Sequence, residues 1–160
     1  MILMLLVGLT LPAAAQPPQA TADEAAILAV VDRFMVAVST NDTTALSALR
    51  VEGSFNTVER PADGGGTLVT RRTFAPTTAK PGNYRERYWD PVVHVRGSIA
   101  VVWTPYEFWI DGKTSHCGID VFEMVREQGA WRIGDMMWTV EPSACASLRP
   151  SDPSRVRPAR

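Results

Sequence analysis

The residues of this 160-residue chain best suited to proton transfer are its two histidines and a group of nearby carboxylates. His116 and Asp120 stand four apart in HCGIDVFEM, and His94 sits in VVHVR. Glu107 and Glu141 flank the same region. A histidine beside a carboxylate can act as a general base. A carboxyl group among apolar neighbours keeps its proton and can act as an acid. Asp120, His116 and His94 are therefore the candidate catalytic residues. The structural alternatives are a strand-end salt cluster around His116, and a buried Asp120 bonded to a helix-end amide or an arginine. Neither HxH nor HExxH spacing occurs, so no metal site is expected. Gly64-Gly65-Gly66 lacks the Lys and Ser/Thr of a phosphate loop, and no nucleophile elbow is present. No cofactor is expected.

These residues need a sheet to hold them. From Arg85 to Glu141 the chain reads as four antiparallel strands, RERYWDPVVHVRG, SIAVVWTPYEFWIDGK, TSHCGIDVFEMVREQG and AWRIGDMMWTVE. The breaks are Arg96-Gly97-Ser98, Asp111-Gly112 and Gln128-Gly129, and Asp-Gly between β-rich runs is a strong hairpin signal. Centring on the turns places Val92 opposite Trp103, Glu107 and Glu141 opposite His116, and Trp103 and Met137 opposite Asp120. Alternation then gathers Tyr88, His94, Trp103, Glu107, His116, Asp120, Phe122 and Met137 on one mixed face. Val93, Val95, Val102, Tyr106, Phe108, Ile110, Cys117, Ile119, Val121, Met136, Trp138 and Val140 fall on an apolar face. A bulge near Pro105 would swap part of this partition. The mixed face is expected to line a cavity on the concave side, and the apolar face to pack on a second subunit, giving a homodimer.

Upstream, Thr21-Ala22-Asp23-Glu24 is a capping box. The helix it opens carries Ile27, Val30, Val31, Phe34 and Val38 on one face. Asp42 or Thr43 caps a shorter helix with Leu46 and Leu49 inward. SFNTVE is a strand, and Leu68–Phe74 is a strand or a short helix. The fold class is α+β, with N-terminal helices packed on a curved antiparallel meander.

Composition narrows the functional classes. A formal net charge of -1 argues against a nucleic-acid partner. Met1–Ala15 reads as a cleaved signal peptide, with Ala13 and Ala15 before the cut and Gln16 after it. Its apolar run of about ten residues is too short to cross a bilayer. A periplasmic or secreted location follows, with no membrane span in the mature protein. The turn register brings Cys117 within a few residues of Cys145, so a disulfide between them is expected in an oxidising compartment. The domain is expected over residues 16–148, with a disordered Arg/Pro-rich tail over 149–160.

The helix ending STNDTTALSAL and the run WTPYEFWIDGKTSHCGIDVFEMVREQGAWRIGDMMWTVE resemble the nuclear-transport-factor-2-like, or SnoaL-like, superfamily over about Ala25 to Glu141. Asp-Gly-Lys, His-Cys-Gly-Ile-Asp and Gly-Ala-Trp-Arg-Ile are similar to an exported bacterial branch without an assigned reaction. The resemblance implies a cone-shaped cavity. Enzymes of the superfamily include steroid isomerases, scytalone-type dehydratases and polyketide cyclases that use an Asp or His base. In NTVERPADG, Glu59-Arg60 replaces the isomerases' Glu-Asp, and their helix-one phenol falls near Phe34. The dehydratases' His-Asp arrangement has its nearest equivalent in His116 or His94 with Asp120. The function expected is binding of a small, partly apolar molecule by Trp103, Tyr88, Glu107, Phe122, Met137 and Phe34. The alternative is a cofactor-independent lyase or isomerase using Asp120 and a histidine.

Overall fold

The computed structural model describes residues 21–75 and 82–158. The expected signal segment Met1–Ala15 lies outside the described residues. Helix α1 spans Ala22–Ser39, and the capping box forms as the sequence requires: the Thr21 hydroxyl accepts from the Glu24 amide, and the Glu24 carboxylate accepts from the Thr21 amide. Its face of Ile27, Val30, Val31, Phe34 and Met35 is buried. Asp42 caps α2, Thr43–Ala48, by accepting from the Ala45 amide.

Among the described residues, eight strands follow in one sheet. They are β1 (Phe55–Pro61), β2 (Thr67–Thr73), β3 (Tyr84–Trp89), β4 (Val92–Arg96), β5 (Ile99–Ile110), β6 (Lys113–Glu127), β7 (Ala130–Thr139) and, after the short helix α3 (Cys145–Leu148), β8 (Val156–Arg157). The spatial order is β2-β1-β7-β6-β5-β3-β8, with β4 also paired to β5. β1 and β2 form a hairpin, which settles Leu68–Phe74 as mainly strand, and β1 runs parallel to β7. The first meander run is not one strand: Asp90 adopts a left-handed φ of 48° before Pro91, and the run divides into β3 and β4, both paired with β5. The fold is α+β, with α1 and α2 packed against the curved sheet.

Register is where the structure departs from the turn-based expectation. Both residues of Asp111-Gly112 and of Gln128-Gly129 take positive φ, as a tight two-residue hairpin turn needs. Next to these turns the expected register holds, with Ile110 opposite Lys113 and Glu127 opposite Ala130. Further along, each hairpin slips by one residue. Ser115 is extra in β6, so His116 faces Phe108 and Asp120 faces Thr104. Gly134 and Asp135 accommodate an extra residue in β7, so Asp120 faces Trp138. A one-residue slip exchanges the faces of the partner strand. Tyr106, Phe108, Met136 and Trp138 therefore share the concave side with His116, Asp120 and Phe122. Val102, Tyr106, Phe122, Met124, Ile133 and Met136 form the core with α1.

On the convex side, Val92, Trp103, Val121 and Met137 lie opposite one another in a row across β4, β5, β6 and β7. Trp103 is 51% exposed and Met137 41% exposed, and Val92 and Val101 beside them are also exposed.

Residues 145–157 pack onto the fold. Cys145 is joined to Cys117 by a disulfide, fixing α3 to β6. The Trp89 indole donates to the Leu148 carbonyl at 2.6 Å. Arg149 pairs with Glu107, which also accepts from Thr114. β8 pairs with β3, and Arg157 reaches Asp32 of α1 at 2.7 Å.

Candidate functional site

A cavity of about 660 Å³ opens between the C-terminal half of α1, α2, the β1–β2 hairpin and the concave ends of β3, β5, β6 and β7. Its apolar wall comes from Phe34, Val38 and Leu46 on the helices, and from Phe74, Phe108, Ile110, Met136, Trp138 and Val140 on the sheet side. Phe34 meets Phe122 edge to face at 5.5 Å, so Phe122 supports the cavity from behind. The polar groups on the wall include Arg50, Arg60, Arg72, Glu86, Tyr106, His116 and Asp120.

Asp120 is the most unusual of them. It is 1% exposed, and neither carboxylate oxygen has a hydrogen-bond partner among the described residues. Burial pushes its pKa well above the ordinary carboxylate value, and the nearby Glu86 carboxyl adds to the effect. Glu86, on β3, is 8% exposed, and burial raises its pKa to about 8. Both carboxyls are therefore held protonated near neutral pH. Burial first, and then the Asp120, Glu86 and Glu141 carboxyls once ionised, raise the pKa of Tyr106. Its hydroxyl donates to the Thr139 carbonyl at 2.7 Å. Gly118 makes that crossing possible: a Cβ there would sit 2.1 Å from the Thr139 carbonyl oxygen. The Ile119 amide donates to the Thr139 hydroxyl, holding β6 and β7 in register beside Asp120.

His116 packs its ring on Tyr106 and Phe108, with centroids 5.7 and 5.4 Å apart, and its Nδ1 lies 3.0 Å from the Ser115 hydroxyl. Burial first, and the charge of Arg60 second, lower its pKa, so the imidazole is held neutral. One cavity thus presents two protonated carboxyls and a neutral imidazole. A carboxylic acid can donate a hydrogen bond or a proton, and a neutral imidazole can accept one.

The structure brings together three of the residues expected at the site, Asp120, His116 and Phe34. Phe122 stands behind Phe34, and the others fall elsewhere. His94 is exposed on β4, because Val93 and Val95 take the core side. Trp103 and Met137 are on the convex face through the slips described above. Glu107 is buried but turns away from the cavity toward Arg149 and the disulfide. Tyr88 is fully buried, and its hydroxyl donates to Asp32 at 2.7 Å and accepts from Arg157. Most of the face expected to meet a second subunit is instead concave wall or core. The described residues hold one cluster of potential metal ligands, Glu107 with Cys117 and Cys145, and both sulfurs are joined in the disulfide.

Glu86 and the role of Arg60 in the cavity escape the sequence reading. Glu86 stands two residues before Tyr88, so alternation along β3 puts both on the same side of the strand. Arg60 was visible only as the residue replacing an isomerase aspartate. In the structure it occupies the cavity wall.

No protein-family model matches the chain, and no curated protein matches it. Solved structures do. An NTF2-like protein of unknown function from Pseudomonas putida superposes with a TM-score of 0.57 at 16% identity, covering 76% of this chain and 89% of the other. An NTF2-like protein with a cystatin-like fold from Novosphingobium aromaticivorans gives 0.58 at 15%, covering 80% and 89%. A protein of unknown function with a cystatin-like fold from Nostoc punctiforme gives 0.58 at 12%, covering 77% and 95%. At such identities the likeness is one of fold, and the fold is NTF2-like.

Proposed function

We propose that this chain is an exported, dimeric protein that binds a small, partly apolar molecule in the cavity between its helices and the concave sheet. The observation that carries the reading is Asp120. Buried polar groups are nearly always hydrogen-bonded, and a carboxyl with two unpartnered oxygens on a cavity wall is suited to meet a ligand's polar group. The aromatic wall of Phe34, Phe108 and Trp138 supplies the apolar contact. The disulfide supports an oxidising compartment.

The test is a fluorescence titration with N-phenyl-1-naphthylamine, a neutral apolar probe. The wild type is expected to saturate at one site, and Val140→Trp, which fills the cavity from the residue after β7, to lose that binding. A probe that fails to saturate, or saturates equally in the filled variant, contradicts the reading.

A second reading is favoured by the pairing of protonated carboxyls with a neutral histidine: a cofactor-independent lyase or isomerase in which Asp120 donates a proton and His116 accepts one. Asp120→Asn separates the two. It retains the shape of the wall, so a binder keeps its affinity within a few fold, whereas an enzyme loses turnover by about a hundredfold or more.

The dimer is supported by the exposed row of Val92, Trp103 and Met137, too apolar to face water without cost. Trp103→Glu places a charge at its centre. The wild type is expected to sediment as a dimer and the variant as a monomer. A wild type that sediments as a monomer refutes this part.

A further inference from the structure

The cavity wall includes three arginines and two carboxyls. Arg50 is committed to the fold. Its guanidinium donates to the Ser54 hydroxyl, the Asn56 side chain and the carbonyls of Phe55 and Gly134, and it stacks on Phe74. Arg60 and Arg72 are different. Both are exposed, and neither enters any ion pair among the described residues. The residues outside the described set contain no Asp or Glu.

The other groups on the wall do not balance this charge. Glu86 and Asp120 are the acidic residues lining the cavity, and burial keeps both protonated near neutrality. The cavity is therefore electropositive, although the whole chain has a net charge of -1. Of the three arginines, Arg60 is the one whose charge acts on His116 and on Tyr106, where the Glu141 carboxylate outside the wall opposes it. It stands two residues after Val58, which pairs with Trp138. Arg72 lies opposite Asn56, about 13 Å along β1 from Arg60 at four residues of strand rise. It adds to the field without sharing the same contact.

We propose that the cavity takes an amphipathic organic anion, whose carboxylate, sulfonate or phosphate pairs with Arg60 at the rim while its apolar body lies against Phe34, Phe108 and Trp138. This rests on the reading of the cavity as a binding site and narrows the class of molecule it binds. A guanidinium pairs with an oxyanion through two parallel charge-assisted hydrogen bonds. A cationic ligand would meet two unpaired arginines and no ionised carboxylate on the wall itself.

The test compares two probes with the same phenyl-naphthylamine body. 1-Anilinonaphthalene-8-sulfonate carries an anionic group, and N-phenyl-1-naphthylamine does not. The wild type is expected to bind the sulfonate at least about tenfold more tightly than the neutral probe. Arg60→Gln is expected to remove about tenfold of the sulfonate affinity and leave the neutral probe unchanged. Arg72→Gln should give a smaller loss in the same sense. Arg71→Gln is the control, because Arg71 is ion-paired with Asp135 and lies outside the cavity wall. It should change neither probe. Equal affinity for the two probes overturns the anion inference and leaves the binding reading intact. Equal loss of sulfonate affinity in Arg60→Gln and Arg71→Gln also overturns it, since surface attraction would then account for the preference. If neither probe binds, the inference and the binding reading fall together.

Discussion

Glu86→Gln is expected to make the protein more stable above neutral pH, by on the order of 5 kcal/mol near pH 9. The sign follows from where the proton resides. In the unfolded chain Glu86 ionises near its ordinary value of 4.5, whereas in the folded protein burial raises its pKa to about 8. Between these values the folded state retains a proton that the unfolded state has released. Stability is therefore lost as pH rises from about 5 to about 8, and levels off above that. Asp120, raised in the same direction, contributes a loss of the same sign. His116, whose pKa is lowered, acts oppositely and only under acidic conditions, where the unfolded chain takes up the proton first. Glutamine cannot ionise, so the variant lacks the Glu86 share of the decline. Urea unfolding of wild type and Glu86→Gln at about pH 5 and about pH 9 checks this. The two curves should nearly coincide at the lower pH and separate at the higher one. A constant offset at both would mean that the substitution acts through packing.

The disulfide carries the second large effect. Cys117 and Cys145 close a loop with a sequence separation of 28, which in the chain-entropy model stabilises by about 3–4 kcal/mol. Its removal by Cys117→Ser/Cys145→Ser should lower the unfolding free energy by about that amount. The consequence extends past the loop. α3, the Arg149–Glu107 pair and the Trp89–Leu148 contact all lie close to Cys145 in the chain or on the strands beside it. Hydrogen exchange in residues 145–157 should therefore rise more than in α1 or β6. A loss well below 1 kcal/mol, with no change in exchange, would mean that these contacts hold the segment without the covalent link.

Much of the architecture was legible because local signals coincide with it. The capping box at Thr21–Glu24, the Asp42 cap and the Asp111-Gly112 turn each fix a chain direction through neighbouring residues alone. The Cys117–Cys145 pairing survived a one-residue register error because a disulfide depends on proximity, not on which face is up. Faces are less forgiving. The two bulges move β5 and β7 by one residue relative to Asp120, and each slip exchanges a whole strand's assignment. That is why Trp103, Met137 and Glu107 were expected in the cavity, while Tyr106, Phe108 and Trp138 are there instead. Neither bulge has a sequence signal as strong as a turn: Ser115 is an ordinary strand-end residue, and Gly134 could equally mark close packing. His94 was misplaced by the same slip: its pairing with β5 is the expected one, opposite Val101, so it went to the convex face together with Val92 and Trp103.

A crystal structure of the protein with N-phenyl-1-naphthylamine bound tests most directly whether the concave cavity, with Asp120 on its wall, receives a small molecule. The expected result is the probe lying against Phe108 and Trp138, with its amine directed toward Asp120 or Glu86. The contradicting result is a cavity filled by side chains, with the probe seated on the convex row of Val92, Trp103 and Met137.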